Sequence, residues 1–436
     1  MASADRPTVD RPTLVRAVSR WQIVGLATND VIGSGIYLLP AAAAALLGAA
    51  SIWAVLLAGA VVGLLVLCYA QAASGFDQAG GSYLYAREAF GPFIGFEVGW
   101  LMWLTRIASV AALAAGLTLA VAPFWPAASH AAGRAFLIVA AIGGVTWVNI
   151  IGVRAGAVMA VALTIAKMVP LVLFAVVGLA FVDWSRLAVE TTPAGHRFGE
   201  AALLLLFAYA GFENTPSAAA EYRNPQRDVP FAMVAMIVIV TLTYAAIQMV
   251  AVGTLPGLAE AASPLADAAA RIVGPGAALL MTAGAVVSIA GNIGNTTLFG
   301  PRYAYALAAD GFGPAALARV HPRYRTPAVA IVVQSIAAAV LALTGSFVAL
   351  ALLSVVTRLL TYIATTLAVI VLRPRLAAKP GAIHLPGGLA IPVAAFGVSI
   401  MLMAAATWTQ LAAVVVAIAA GGGVYVFRRA PAPAGA

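Results

Sequence analysis

Two short stretches of this chain combine residues that break helices with residues that can hold a charged ligand. The first reads Asn29-Asp30-Val31-Ile32-Gly33-Ser34-Gly35-Ile36-Tyr37, and the second Phe207-Ala208-Tyr209-Ala210-Gly211-Phe212-Glu213-Asn214-Thr215-Pro216. Glycines flanking a serine, or set among a carboxylate, an amide and a proline, are poor helix formers and leave backbone N–H and C=O groups unpaired. A helix restarting near Gly35 would aim free N–H groups and the positive end of its dipole at an anion, and a carboxylate fits. Freed carbonyls near Phe207 to Ala210 would accept from an ammonium group. Together the two breaks offer donors to a carboxylate and acceptors to an amine, which is what a zwitterionic amino acid requires. The competing reading is close helix packing at small residues.

Charged side chains inside otherwise apolar runs are the second set of candidates. Lys167, one of two lysines, lies in Ala166-Lys167-Met168-Val169-Pro170, and Glu213 follows the second break. Asp30 precedes the first break, and Arg106 and Arg358 sit within apolar runs. Each charge at membrane depth costs about 2.5–3.5 kcal/mol on insertion scales, so each is a functional candidate. Lys167 is either a fixed structural cation or a proton carrier. Glu213 is either a capping carboxyl or a coupling group, and Asp30 either a structural group or a counter-charge. Arg106 and Arg358 require partners; Glu97 is too far along its helix to pair with Arg106 at i, i+4, and Arg358 could face Glu213 or a substrate carboxylate.

The elements that must carry these residues follow from composition. Of 436 residues 63% are hydrophobic and 9% charged, against roughly 45–50% and about 25% in soluble domains. Mean hydropathy is +1.01, so lipid is the solvent for most of the surface. The net charge of +9 does not mark a nucleic-acid binder, because the arginines lie in short loops between apolar runs. The single Cys68 allows no intramolecular disulfide. A polar N-terminal stretch precedes the first run, which lacks the cleavage pattern of a secretory signal.

Apolar runs fall near 21–48, 52–74, 91–121, 134–152, 156–182, 199–219, 229–254, 275–309, 327–343, 347–372, 388–407 and 410–428. A membrane helix needs about 20 residues, whereas barrel strands are about 10 and alternate in polarity. The expected fold is therefore an all-α membrane protein of twelve transmembrane helices. Arg134, Arg186, Arg197 and Arg271 fall in the loops on one side and Arg106, Lys167 and Arg358 in spans; the remaining Lys and Arg residues lie in the loops and termini of the other side. That bias places both termini in the cytoplasm. The expected organisation is a cytoplasmic tail at 1–20, one five-helix unit at 21–182, a second at 199–372, two further helices at 388–428 and a tail at 429–436.

Breaks at matching positions of two halves are the sequence mark of inverted repeats around a transporter's site. At these residues the chain resembles the amino acid–polyamine–organocation superfamily, whose members share a LeuT-like fold. The resemblance rests on Gly33-Ser34-Gly35-Ile36, Tyr209-Ala210-Gly211-Phe212-Glu213, and the loop Glu221-Tyr222-Arg223-Asn224-Pro225-Gln226-Arg227-Asp228-Val229-Pro230. It extends through Ala309-Asp310-Gly311 and Arg325-Thr326-Pro327 and covers nearly the whole chain. It implies a 5+5 inverted repeat with broken helices one and six, alternating access, and a substrate enclosed by spans one, three, six, eight and ten.

Carried over residue by residue, the resemblance gives the carboxylate role to Ile32, Gly33, Ser34, Gly35 and Ile36, and the amine role to the carbonyls of Phe207, Ala208 and Ala210. Tyr209 and Gly211 complete that break, and Phe207 resembles the aromatic that closes over substrate. Met102, Ile107, Thr296 and Tyr362 are expected to set pocket volume. Thr296 stands near where the arginine–agmatine branch has a tryptophan. Lys167 is expected where sodium sits in sodium-coupled relatives, so transport would be sodium-independent. Glu213 matches a proton or amine partner of cationic-amine antiporters.

The expected function is amino-acid transport across the cytoplasmic membrane, proton-coupled or by exchange, with a neutral substrate favoured. The alternative is a cationic amino acid or polyamine, with Glu213 or Asp30 as counter-charge. No clustered nucleophile, base or metal ligand suggests an enzyme, no ring of like charge a channel, and no phosphate loop a pump. The four histidines lack metal-ligand spacing, and no cofactor is expected. Trp53, Trp100, Trp103 and Trp125 are expected as interface anchors or lipid-facing packing. Asn292, Asn295 and Thr296 are expected to line the site or to join helices.

Overall fold

The computed structural model of the chain describes residues 19–76, 81–151, 156–189, 195–324, 326–377, 379, 382–385 and 387–426. The outer parts of both tails, Arg154 and Arg325 lie outside the described residues. Among those described the chain is all-α. In order, the helices are α1 (Arg20–Val31), α2 (Ser34–Leu47), α3 (Ser51–Ser74), α4 (Ser82–Phe90), α5 (Pro92–Val121), α6 (Ala131–Ile151), α7 (Gly156–Gly178) and α8 (Gly195–Ala208). They continue as α9 (Pro225–Thr254), α10 (Pro264–Val273), α11 (Pro275–Ala309), α12 (Ala328–Thr344), α13 (Phe347–Ala377), α14 (Ala390–Ala404) and α15 (Trp408–Val426).

Prolines open α5, α9, α10 and α11, at the turn where a missing N–H costs nothing and a fixed φ favours the helix. Seven apolar helical stretches among the described residues are long enough to cross a hydrocarbon core. They are Ser34–Ser74, which covers α2 and α3, then α5, α6, α9, α11, most of α13, and α15. Ala166–Phe181, α12 and α14 are shorter apolar helices. Large apolar side chains stand exposed along these helices, among them Trp53, Val139, Leu242, Ile336, Val415 and Val416. A continuous apolar exterior of this kind is the surface that lipid covers.

Both sequence breaks interrupt helices. α1 has 12 residues and α2 has 14, so at 1.5 Å per residue neither alone spans a core of roughly 30 Å. Ile32 and Gly33 separate them. α8 likewise has 14 residues and gives way at Tyr209–Gly211 to a 3-10 segment, Phe212–Glu221. Two causes act there. Gly211 takes φ 128°, which only glycine adopts without strain, and Pro216 cannot supply the N–H of an α-helical turn.

The centre of the bundle is α5. Of its most apolar stretch 83% is buried, against 11% for α15, and it packs against both α11 and α13. α3 lies along α9, α1 against α9, and α2 against α8. The α2–α8 crossing is close: a Cβ on Gly35 would lie 2.6 Å from Ala208 Cα. Trp103 is not lipid-facing, and Trp100 beside it is half-buried. They pack edge to face, Trp103 is buried, and the Trp100 indole N–H donates to Ala417 O of α15 at 2.8 Å.

Candidate functional site

The two breaks meet. A Cβ on Gly211 would lie 2.7 Å from the carbonyl oxygen of Asp30, so only glycine lets the second break sit on the end of α1. Tyr244 of α9 joins them. Its hydroxyl lies 2.9 Å from Ala208 O and 3.2 Å from Val31 O, one carbonyl from each break. Asn292 of α11 fills the space where Gly33 has no side chain.

Around this meeting point lies a cavity of about 40 Å³. A cavity needs roughly 10–15 Å³ to hold a water, so it admits a few waters and is contracted relative to an amino acid. Its wall includes Asp30, Gly33, Ser34 and Gly35 from the first break, and Phe207, Ala210, Gly211 and Asn214 from the second. Arg106, Ser109 and Leu113 of α5, Asn292, Asn295 and Thr296 of α11, and Arg358 of α13 also line it. The first turn of α2 has no side-chain cap, and the buried Ser34 Oγ has no hydrogen-bond partner. The free N–H groups of a helix start thus face a polar cavity, the geometry that holds anions.

A buried charge cluster stands against the cavity. Arg106 Nη2 lies 3.1 Å and Arg358 Nε 3.0 Å from Glu213 Oε1. The other carboxylate oxygen accepts from the Gly211 N–H at 3.0 Å and from the Tyr362 hydroxyl at 3.3 Å. Arg106 also donates to Asn214 Oδ1, and Asn214 donates to Asp30 Oδ2 at 3.3 Å. Arg358 Nη2 donates to Ser109 Oγ at 3.1 Å. Removing charge from water is costly unless each ion is paired and hydrogen-bonded, which accounts for the density of partners around Glu213.

Lys167 lies beneath α1. Its ammonium donates to Asn29 O at 2.7 Å and to Ile32 O at 2.6 Å, with Asn292 Oδ1 at 3.5 Å. The last carbonyls of a helix have no intrahelical donor and carry its negative dipole end. A lysine from α7 satisfies both demands. Tyr37 of α2 donates to the Lys167 carbonyl at 3.0 Å, tying the half-helix beyond the break to the same turn of α7.

Of the sequence candidates, Gly33, Ser34, Gly35, Phe207, Ala210, Gly211 and Thr296 share the cavity wall. Ile32, Ile36, Ala208 and Tyr209 are buried beside it without forming that wall. The carbonyl of Phe207 accepts from the Ala210 N–H and that of Ala208 from Tyr244, each keeping one lone pair for a second donor. Met102 and Ile107 are buried in α5 but stand off the cavity. The face that reaches it runs through Arg106, Ser109 and Leu113, spaced three and four apart as one helix face requires. Ser109 could have been found from Arg106 by that spacing. Tyr244 carries no local signal, since it is one tyrosine in a long apolar helix.

A family model described as amino acid permease matches residues 18–426. The chain belongs to the amino acid permease family. It is 27% identical over 433 residues to a methylthioribose transporter of Bacillus subtilis, across 95% of this chain and 93% of that protein. An uncharacterized transporter of Mycobacterium tuberculosis is 30% identical across 74% of this chain and 72% of its own length. A vacuolar protein of Arabidopsis thaliana named cationic amino acid transporter 4 is 27% identical, covering 83% of this permease and 64% of the plant protein. These similarities make this permease an integral membrane transporter of small molecules.

Proposed function

We propose that this permease is a sodium-independent secondary transporter that carries amino acids across the cytoplasmic membrane by alternating access. The observation that carries the reading is the meeting of two broken helices at one polar cavity, with the uncapped start of α2 on one wall and Phe207 and Ala210 on another. The α-carboxylate binds the N–H groups of Ser34, Gly35 and Ile36. The α-amine binds carbonyls of the second break, and Phe207 closes over the pair. Lys167 holds the end of α1 with a fixed or proton-cycling charge and takes the place of a sodium ion.

In this reading the twelve spans are α1 with α2, α3, α5, α6, α7, α8 with its 3-10 segment, α9, α11, α12, α13, α14 and α15. The first five and the next five are inverted repeats, residues 21–182 and 199–372, and 388–428 is appended. Both termini are cytoplasmic. Of the two expected counter-charges for a cationic substrate, Glu213 is engaged by two arginines, a tyrosine and a backbone N–H, which leaves that role to Asp30 on the cavity wall, where it accepts from Asn214.

The test is uptake of labelled amino acids into sodium-free proteoliposomes with and without an inward proton gradient. Uptake that follows the gradient means proton coupling, and uptake only after internal preloading means exchange. Failure of every amino acid and polyamine would overturn the substrate class.

A further inference from the structure

Two arginines share one carboxylate at the cavity, and the sharing is incomplete. Glu213 has no capacity left for a fifth partner, since Oε1 faces both guanidinium groups and Oε2 accepts from Gly211 and Tyr362. Arg358 Nε lies at ion-pair distance from Glu213 and Nη2 donates to Ser109, while its Nε and Nη1 make no hydrogen bond, against Nε alone for Arg106. The residue is 2% exposed and forms part of the cavity wall. A guanidinium presents five donors in a planar fork and does not deprotonate in proteins, so burying one with a donor unmet is unfavourable.

The wider charge balance has the same sign. Around the breaks stand the cations Arg106, Lys167 and Arg358 against the carboxylates Asp30 and Glu213. Lys167 is spent on the end of α1, and Arg106 is held by Glu213 and Asn214. Of the two arginines on the cavity wall, Arg358 has the more unmet donors, two nitrogens against one for Arg106.

We infer that the substrate carries a second carboxylate on its side chain, and that Arg358 is the residue that selects it. This rests on the amino-acid transporter reading above. The α-carboxylate goes to the start of α2, and the side-chain carboxylate pairs with the free edge of the Arg358 fork, where a planar anion meets two donors at once. Small residues at the breaks alone suggest a neutral side chain; the charge on the wall reverses that expectation. A cationic side chain would bring its charge against two guanidinium groups.

The test uses the full chain in sodium-free proteoliposomes with labelled aspartate, glutamate, asparagine and glutamine at matched concentration. Hydrogen bonds to charged groups discriminate by about tenfold to a hundredfold, so the acids should outpace their amides by at least about tenfold. Arg358→Gln should bring that ratio to about one. The double variant Arg358→Gln with Glu213→Gln removes opposite charges together and covers the case in which the single variant fails to fold. Amides carried as well as acids by the unaltered protein would overturn the inference and leave the transporter reading standing. A ratio unchanged in a folded Arg358 variant would also overturn it. Absence of any amino-acid uptake would overturn both.

Discussion

The ammonium nitrogen of Lys167 lies 2.6 Å from the carbonyl oxygen of Ile32. A cation from α7 thus closes the C-terminal end of α1 where the chain leaves the helix for Gly33. This contact makes the first break a formed structure, because it supplies the donor that the interrupted helix cannot.

Replacement of Lys167 by Met should cut uptake by more than about tenfold, since two hydrogen bonds to a charged group are lost at about 1.5–3 kcal/mol each. Thermal unfolding in detergent should fall in parallel. Sodium added to the unaltered protein should leave uptake unchanged, and a sodium-stimulated rate would contradict the role given to this lysine.

Glu213→Gln should destabilise the protein by about 3–5 kcal/mol, the cost of leaving a buried ion without its partner. Combining it with Arg358→Gln should recover part of the loss, because one orphaned cation is removed as well. Melting curves of the purified single and double variants check the ordering, and an additive double loss would argue against direct pairing.

Gly35→Ala should abolish uptake, because the added methyl meets the backbone of Ala208 at 2.6 Å and backbone cannot swing aside. Gly63→Ala on α3, where nothing lies within 4 Å, should raise helix propensity slightly and leave transport intact. Equal behaviour of the two variants in the same vesicles would mean that the α2–α8 crossing is looser than its geometry.

Tyr244→Phe removes the hydroxyl that joins Val31 O to Ala208 O while keeping the ring. A loss of about 0.5–1.5 kcal/mol in stability is expected for one neutral hydrogen bond. Transport should fall several-fold, since the two breaks then move independently. Unaltered uptake would show that the breaks need no strap between them.

The sequence by itself determined the solvent, the fold class and the places where helices fail. Those are local or summed properties: too few charges to face water, apolar runs of spanning length, and glycine or proline at Gly33, Gly35, Gly211 and Pro216. Even the suspicion attached to Lys167, Glu213, Arg106 and Arg358 was local, because any charge in an apolar run is costly wherever it points. The pairing of those charges was decided only in three dimensions. Arg106 and Glu213 lie 107 positions apart, and no periodicity relates the face of α5 to the bend after α8. Helical phase from Arg106 told against Ile107 and for Ser109, but it equally favoured Met102, four residues earlier on the same face, which stands off the cavity; periodicity orders the residues of one helix and does not say how far along it the cavity reaches. Tyr244 makes the same point, as its hydroxyl matters only because packing of α9 brings it to two carbonyls that the breaks had freed.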